Sequence, residues 1–151
     1  MRGFGLVTGG AVSALLLLGS LSLSAQGLAP ADAIAQRKAG LRDMQRRMEA
    51  IKAAVDGRGD VAALAPSIAG MEAFYRDFPA LFPPGSEAGD TKARPEVWSN
   101  RAVFETASRN AVGAAENLRK AAASGDAAAT GSALQQMGAA CGACHRNFRN
   151  R

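Results

Sequence analysis

Two cysteines two residues apart, followed at once by the sole histidine of the chain (Cys141, Gly142, Ala143, Cys144, His145), constrain this 151-residue sequence more than any other feature. On a helix, positions three apart share a face. Both thiols can therefore add to the two vinyl groups of one porphyrin while the next residue reaches the iron, and C-x-x-C-H is the attachment pattern of a c-type haem. With one histidine in the chain, His145 is the proximal ligand and no second imidazole exists for the opposite face. Other uses of these residues fit less well. A thioredoxin-like dithiol needs a preceding strand and a helix N-terminus. A closed zinc site needs four ligands, where the chain offers three soft ones. A disulfide at this spacing is strained within a helix. One covalent haem c is the expected cofactor.

The motif also lies on an apolar seam. Apolar residues recur at alternating steps of three and four, the signature of amphipathic helices. The first segment runs Ile34, Arg37, Leu41, Met44, Met48, Ile51 and Val55, with Arg37 the one charged member, and Gly57 and Gly59 end it. The second runs Val61, Leu64, Ile68, Met71, Tyr75 and Phe78, with Asp60 as its N-cap. Pro66 falls inside it; a continuous but bent helix is expected, the alternative being a regular start near Ala65 with the proline in the first turn. Pro79 to Arg94, rich in proline, glycine and small polar residues, reads as one long loop.

Pro95 suits the first turn of a third helix, with a seam of Val97, Arg101, Phe104, Ser108, Ala111, Ala115 and Leu118, stopped at Ser124 and Gly125. Asp126 caps the fourth, whose seam of Ala127, Thr130, Leu134, Met137, Cys141, Cys144 and Phe148 contains both cysteines. The porphyrin must therefore sit inside the assembly and not on its surface. The expected fold is all-α, an antiparallel four-helix bundle of helices roughly 17 to 28 residues long, with haem attached near the C-terminus.

At the other end, Arg2, the apolar run from Ala11 to Leu23 and the small residues at Ser24 and Ala25 form a secretory signal peptide, residues 1–25, cleaved after Ala25 or, alternatively, at Ser24 or Gly27. The run is too short and serine-rich for a membrane span, so no span is expected after processing, and residues 26–151 form one domain. The expected location is the periplasm. The net charge of +5 falls by one with the loss of Arg2. So modest an excess, with few aromatics and no Lys/Arg run, excludes a nucleic-acid partner. Arg146, Arg149 and Arg151 suit a helix C-terminus, where cations complement the dipole, or form a docking patch for an acidic redox partner.

These features together resemble the class II cytochromes c, the cytochrome c′ family of exported bacterial four-helix-bundle proteins. The resemblance rests on the C-terminal C-G-A-C-H, on A-Q-R-K-A-G-L-R-D-M in the first segment, and on F-P-A-L-F-P-P-G-S followed by G-D-T-K-A-R-P-E-V-W. It implies that Arg37 lies near a haem propionate, that Lys38 replaces a common glutamine, and that Thr91 belongs to a loop approaching the haem. It also implies that Leu41 sits over the sixth coordination position. High-spin members leave that position open under such a side chain, whereas low-spin members place a methionine there, for which Met44 is the candidate. Met137 shares a helix with His145, Met48 is a turn beyond Met44, and Met71 is on the second segment, so none of the three matches a ligand position.

Two functions follow as expectations: a periplasmic electron carrier with a redox partner protein, or a binder of NO or CO at an open distal site. Enzymatic turnover is not expected, since a haem peroxidase uses a distal acid–base group, usually histidine. Relatives dimerise through the first two helices; here Arg42, Arg46, Arg47 and Lys52 on the first helix predict like-charge contact and hence a weak homodimer.

Overall fold

The computed structural model describes residues 27–151, so the expected signal peptide lies outside the described residues. The elements are α1 (Pro30–Asp56), α2 (Ala65–Asp77), a short α3 (Glu96–Ser99), α4 (Arg101–Ala123) and α5 (Ala127–Phe148), with 3₁₀ turns at Ala62–Leu64 and Phe78–Leu81. Among the described residues there is no strand, only an isolated bridge between Ala93 and Arg149. The four longer helices form the all-α bundle. Its centre is α4, which packs most extensively against α5 and α2, while α1 lies against α5 and more lightly against α2.

Local chemistry explains most boundaries. Pro30, at the first position of α1, lacks an N–H that would be unpaired there in any case. Gly57 closes α1 by donating its N–H to Ala53 O. Asp126 caps α5, its carboxylate accepting from the N–H groups of Ala128 and Ala129, and Gly125 before it takes φ +74°. Thr130, the polar member of the α5 seam, is fully buried and donates to Asp126 O at 2.6 Å, so its hydroxyl is satisfied by its own helix.

Three expectations are corrected. The second segment is not one bent helix: Asp60 caps the 3₁₀ turn through Ala62 and Ala63, and α2 begins afresh at Ala65 with Pro66 in its first turn. A proline at that point removes no helical hydrogen bond, whereas inside a helix it would. This shortens α2 to 13 residues. The loop starts later than Pro79, because Phe78–Leu81 winds into a 3₁₀ turn. The third helix does not run unbroken from Pro95: Asn100, at φ −123° and ψ 50°, leaves helical geometry and separates α3 from α4. Val97, before the break, and Phe104, after it, are buried in the same apolar cluster, with Trp98 packed against it.

The exposed side of α1 also differs from a row of bare cations. Arg46 and Arg47 both bond Asp43, and Lys52 bonds Asp56. Like-charge repulsion across that face is therefore weaker than the residue list suggests.

Two glycines report opposite packing. A Cβ on Gly40 would come within 2.2 Å of the Phe74 ring, which is itself wedged against Tyr75 and Phe78. Around Gly113, inside α4, nothing lies within 4 Å of such a Cβ. Replacing either by alanine gains about 1 kcal/mol of helix propensity. At Gly40 overpacking of about 1–3 kcal/mol exceeds that gain. Denaturant unfolding of the haem-loaded protein should show Gly40→Ala less stable by about 1 kcal/mol and Gly113→Ala more stable by up to about 1 kcal/mol.

Candidate haem site

The interior divides into two apolar clusters with a cavity between them. Met44, Ile51, Ile68, Met71, Tyr75, Leu118 and Met137 belong to one, and Phe78, Phe82, Val97, Phe104 and Phe148 to the other. The cavity measures about 570 Å³, within the roughly 300–1,000 Å³ usual for cofactor sites. Its wall draws Met44 and Tyr75 from the first cluster, and Phe78, Phe82, Phe104 and Phe148 from the second.

From α5, the half-buried Cys141 and Cys144 and the exposed His145 line the same cavity. Cys141 packs against the first cluster and Cys144 against the second, so the α5 wall of the cavity spans the boundary between the two. Burial raises the thiol pKa of Cys141, and burial followed by the neighbouring Cys141 raises that of Cys144 to about 11. Desolvation, then the charge of Arg149, lowers the His145 pKa and favours the neutral imidazole, the form that ligates a metal. Tyr75 is a feature the sequence reading left as ordinary core. Tyr75 is buried beside Cys141 in the same cluster, and burial, then Cys141, pushes its phenol well above the usual range.

From α1, Arg37, Lys38, Leu41, Met44 and Met48 line the cavity. Leu41 is half-buried beside the cluster that holds Cys144; Met44, 5% exposed, belongs to the cluster that holds Cys141. Met48, set aside in the sequence, is also on the wall, whereas Met71 and Met137 are fully buried away from it.

Arg37 is the most constrained polar group. Its side chain is 3% exposed. Nη1 donates to Leu81 O at 3.1 Å and Ser86 Oγ at 2.9 Å; Nη2 donates to Ser86 O and Thr91 Oγ1, both at 2.7 Å. The guanidinium lies 4.5 Å from the Phe82 ring centroid and 5.8 Å from that of Trp98. Ser86, itself fully buried, completes the knot by donating to Pro83 O. Every acceptor is a neutral oxygen, and Arg37 forms no ion pair among the described residues. Burial lowers its pKa, working against a charge that no carboxylate offsets. Thr91 thus acts through Arg37 as well as on the wall, and Lys38 pairs with Asp90 at the cavity edge.

These residues fit a haem. The space is apolar, two sulfurs stand on one side of it with the sole histidine beside them, and a buried cation without a countercharge sits on its wall, where an acidic propionate would supply one.

The comparisons agree with this geometry. The family profile described as "Cytochrome C'" matches residues 32–149. Cytochrome c′ of Allochromatium vinosum is 36% identical over 141 residues, covering 89% of this chain and 92% of that protein. The crystal structure of cytochrome c′ from Thermochromatium tepidum superimposes with a TM-score of 0.77 at 32% identity, covering 83% of this chain and all of that one. A nitric oxide complex of a leucine-to-alanine mutant of cytochrome c prime from Alcaligenes xylosoxidans matches with a TM-score of 0.72 at 29% identity, covering 81% and 96%. The chain is a haem c-binding four-helix-bundle protein by class, and it belongs to the cytochrome c′ family.

Removing Arg37 should free the loop before it unfolds the bundle. Arg37→Gln strips several hydrogen bonds to a charged donor, each about 1.5–3 kcal/mol in net terms but partly recovered by water. A total loss of about 2–4 kcal/mol is expected, and limited proteolysis should cut between residues 82 and 95 faster than in the parent protein.

Proposed function

We propose that this chain is a one-electron haem protein of the periplasm, with a single haem held by thioethers to Cys141 and Cys144 and by His145 on the iron. The observation that carries the reading is the convergence of these three residues on one wall of an apolar cavity that α1 closes from the other side. Haem, when bound, would supply an iron centre that takes up and returns one electron. The chain does the rest. His145 provides the axial nitrogen. Phe78, Phe82, Phe104 and Phe148 exclude water and lower the local dielectric, which helps set the potential. Arg37, buried without a counterion, offers its charge to a propionate, and Thr91 and Ser86 hold it in place.

Leu41 supports a second reading, the binding of NO or CO. It brings an apolar, non-ligating side chain to the cavity wall from α1, and the similar Alcaligenes xylosoxidans protein is a nitric oxide complex. Met44, buried within the core cluster, acts as packing in this reading. The two readings are compatible, because an iron with five ligands still exchanges electrons. With no second histidine in the chain, distal acid–base catalysis has no imidazole to use, and turnover is not proposed. The leader-like residues 1–25 support export. No helix among the described residues is long and apolar enough to cross a membrane.

Absorption spectra of the oxidised and reduced protein, with and without CO, test the distal side. We expect a broad high-spin spectrum that shifts with CO and is unchanged in Met44→Ala; sharp low-spin bands indifferent to CO would place a sixth ligand on the iron instead. Leu41→Ala should speed CO binding about tenfold, equivalent to relief of about 1.4 kcal/mol of steric barrier. Haem-stained denaturing gels should show covalent haem, lost when both Cys141 and Cys144 are replaced by alanine.

A further inference from the structure

The rim of the haem cavity carries a group of cations that form no ion pair among the described residues. Arg42 on α1, Lys92 on the loop and Arg149 after α5 line the cavity and are exposed. Arg146 and Arg151 flank Arg149 on the same terminal segment and are also exposed. None of these five forms an ion pair among the described residues. Elsewhere several cations are matched, Lys52 with Asp56, Arg101 with Glu105, Arg119 with Glu72 and Lys120 with Glu116, and Arg58, Arg76 and Arg109, which form no ion pair among the described residues, lie on other segments of the chain instead of on the cavity rim.

Backbone bonds hold the basic rim together. Asn150 donates its N–H to Lys92 O at 2.8 Å, Arg94 donates its own to Phe148 O at 3.0 Å, and Lys92 Nζ reaches Arg151 O at 3.1 Å. The loop and the terminal segment are thereby sewn edge to edge, which sets Lys92 beside Arg149 and Arg151. The acids nearby are mostly committed, Asp90 to Lys38 and Glu96 to Arg94, leaving Glu87 as the unpaired acid of the loop. From Ala127 to Arg151 the sequence holds no aspartate or glutamate at all. Two haem propionates would offset two charges and still leave an excess.

We infer that this rim is a docking face for an acidic electron-exchange protein, which it seats against the open edge of the haem cavity. The inference rests on the electron-carrier reading and adds the place and the charge of the partner. Complementary charge steers encounter and fixes orientation, and here three of the five cations also line the haem cavity. An anionic membrane is the less suitable occupant. Binding a lipid surface needs an apolar face to insert beside the basic one, and the one exposed large apolar side chain among the described residues is Val103, on α4.

The test uses the full haem-loaded protein and, as probe, an acidic plant-type [2Fe–2S] ferredoxin, a strong enough reductant to pass one electron from its cluster to ferric haem, with no proton or other reactant required. Binding is measured first with both proteins oxidised, by NMR titration at low and high salt, so that it is read apart from transfer. Stopped-flow mixing with reduced ferredoxin then gives the transfer rate. Two variants of equal net charge are compared: Arg42→Glu/Arg146→Glu/Arg151→Glu at the rim, and Arg58→Glu/Arg76→Glu/Arg109→Glu away from it. Neutral Gln versions of both sets serve if a Glu set fails to fold.

The expected result is salt-sensitive binding whose shifts map to the loop and the end of α5. The rim set should weaken binding and slow transfer tenfold or more at low salt, and the distant set less than twofold. Equal losses in the two sets would mean that net charge alone acts, and would overturn the docking face. So would rim-dependent pelleting with phosphatidylglycerol vesicles in the absence of any rim-dependent ferredoxin binding. Rim-dependent binding without transfer would leave the docking face in place and overturn the electron-carrier reading.

Discussion

A buried positive charge with no negative partner organises this molecule. Taking a guanidinium out of water is costly unless it is fully hydrogen-bonded, and Arg37 meets that demand with four neutral oxygens drawn from a loop more than 40 residues away in sequence. The loop in turn has little regular structure of its own. Its shape is set by what Arg37 requires: Leu81 and Ser86 must present carbonyls inward, Phe82 and Trp98 must bring their faces to the cation, and Thr91 must turn its hydroxyl back toward α1. Loop, α1 and the cavity wall are consequently one unit. The dipoles around Arg37 share its charge without cancelling it, which leaves that wall electropositive in an otherwise apolar space.

The division of labour among helices follows from side-chain size. α4 and α5 are rich in alanine and bring small buried residues such as Ala111, Ala115, Ala122 and Ala133 to the bundle centre, where helix backbones can approach closely. Bulk is supplied by α1, α2 and the loop, and by Phe104 and Phe148 near the start of α4 and the end of α5. Phe74, Tyr75, Phe78, Phe82, Phe104 and Phe148 form a chain of rings with successive centroids 4.8 to 6.1 Å apart, mostly edge to face. Four of these rings, Phe78, Phe82, Phe104 and Phe148, line the cavity, and Cys144 packs against the cluster they form.

Much of this was legible in the residues. The period of three and four located the long helices, and one polar residue on an apolar seam, Arg37, marked the place where the core contains something other than hydrocarbon. The placement of both cysteines on the α5 seam foretold an internal cavity. What was not legible depended on contacts between distant segments. Ser86 sits in a stretch whose composition says only "loop", and its complete burial follows from Arg37 reaching it. The break at Asn100 has no glycine or proline to announce it, although the backbone there leaves helical geometry. Pro66 admitted two readings from sequence, and the structure takes the one in which the missing N–H costs nothing. Pairing of Arg46 and Arg47 with Asp43 needed side-chain geometry that a list of charges does not contain.

The seam between the loop and the terminal segment bears on the order in which the site assembles. Arg94 with Phe148 and Asn150 with Lys92 are contacts across more than 50 residues of chain, and contacts of that span form late, because loop-closure entropy must first be overcome. Helical turns and the α4–α5 hairpin, whose partners are neighbours in sequence, form early. A chain folding in this order forms α5, with its cysteines and histidine, before the loop and the terminal segment are joined.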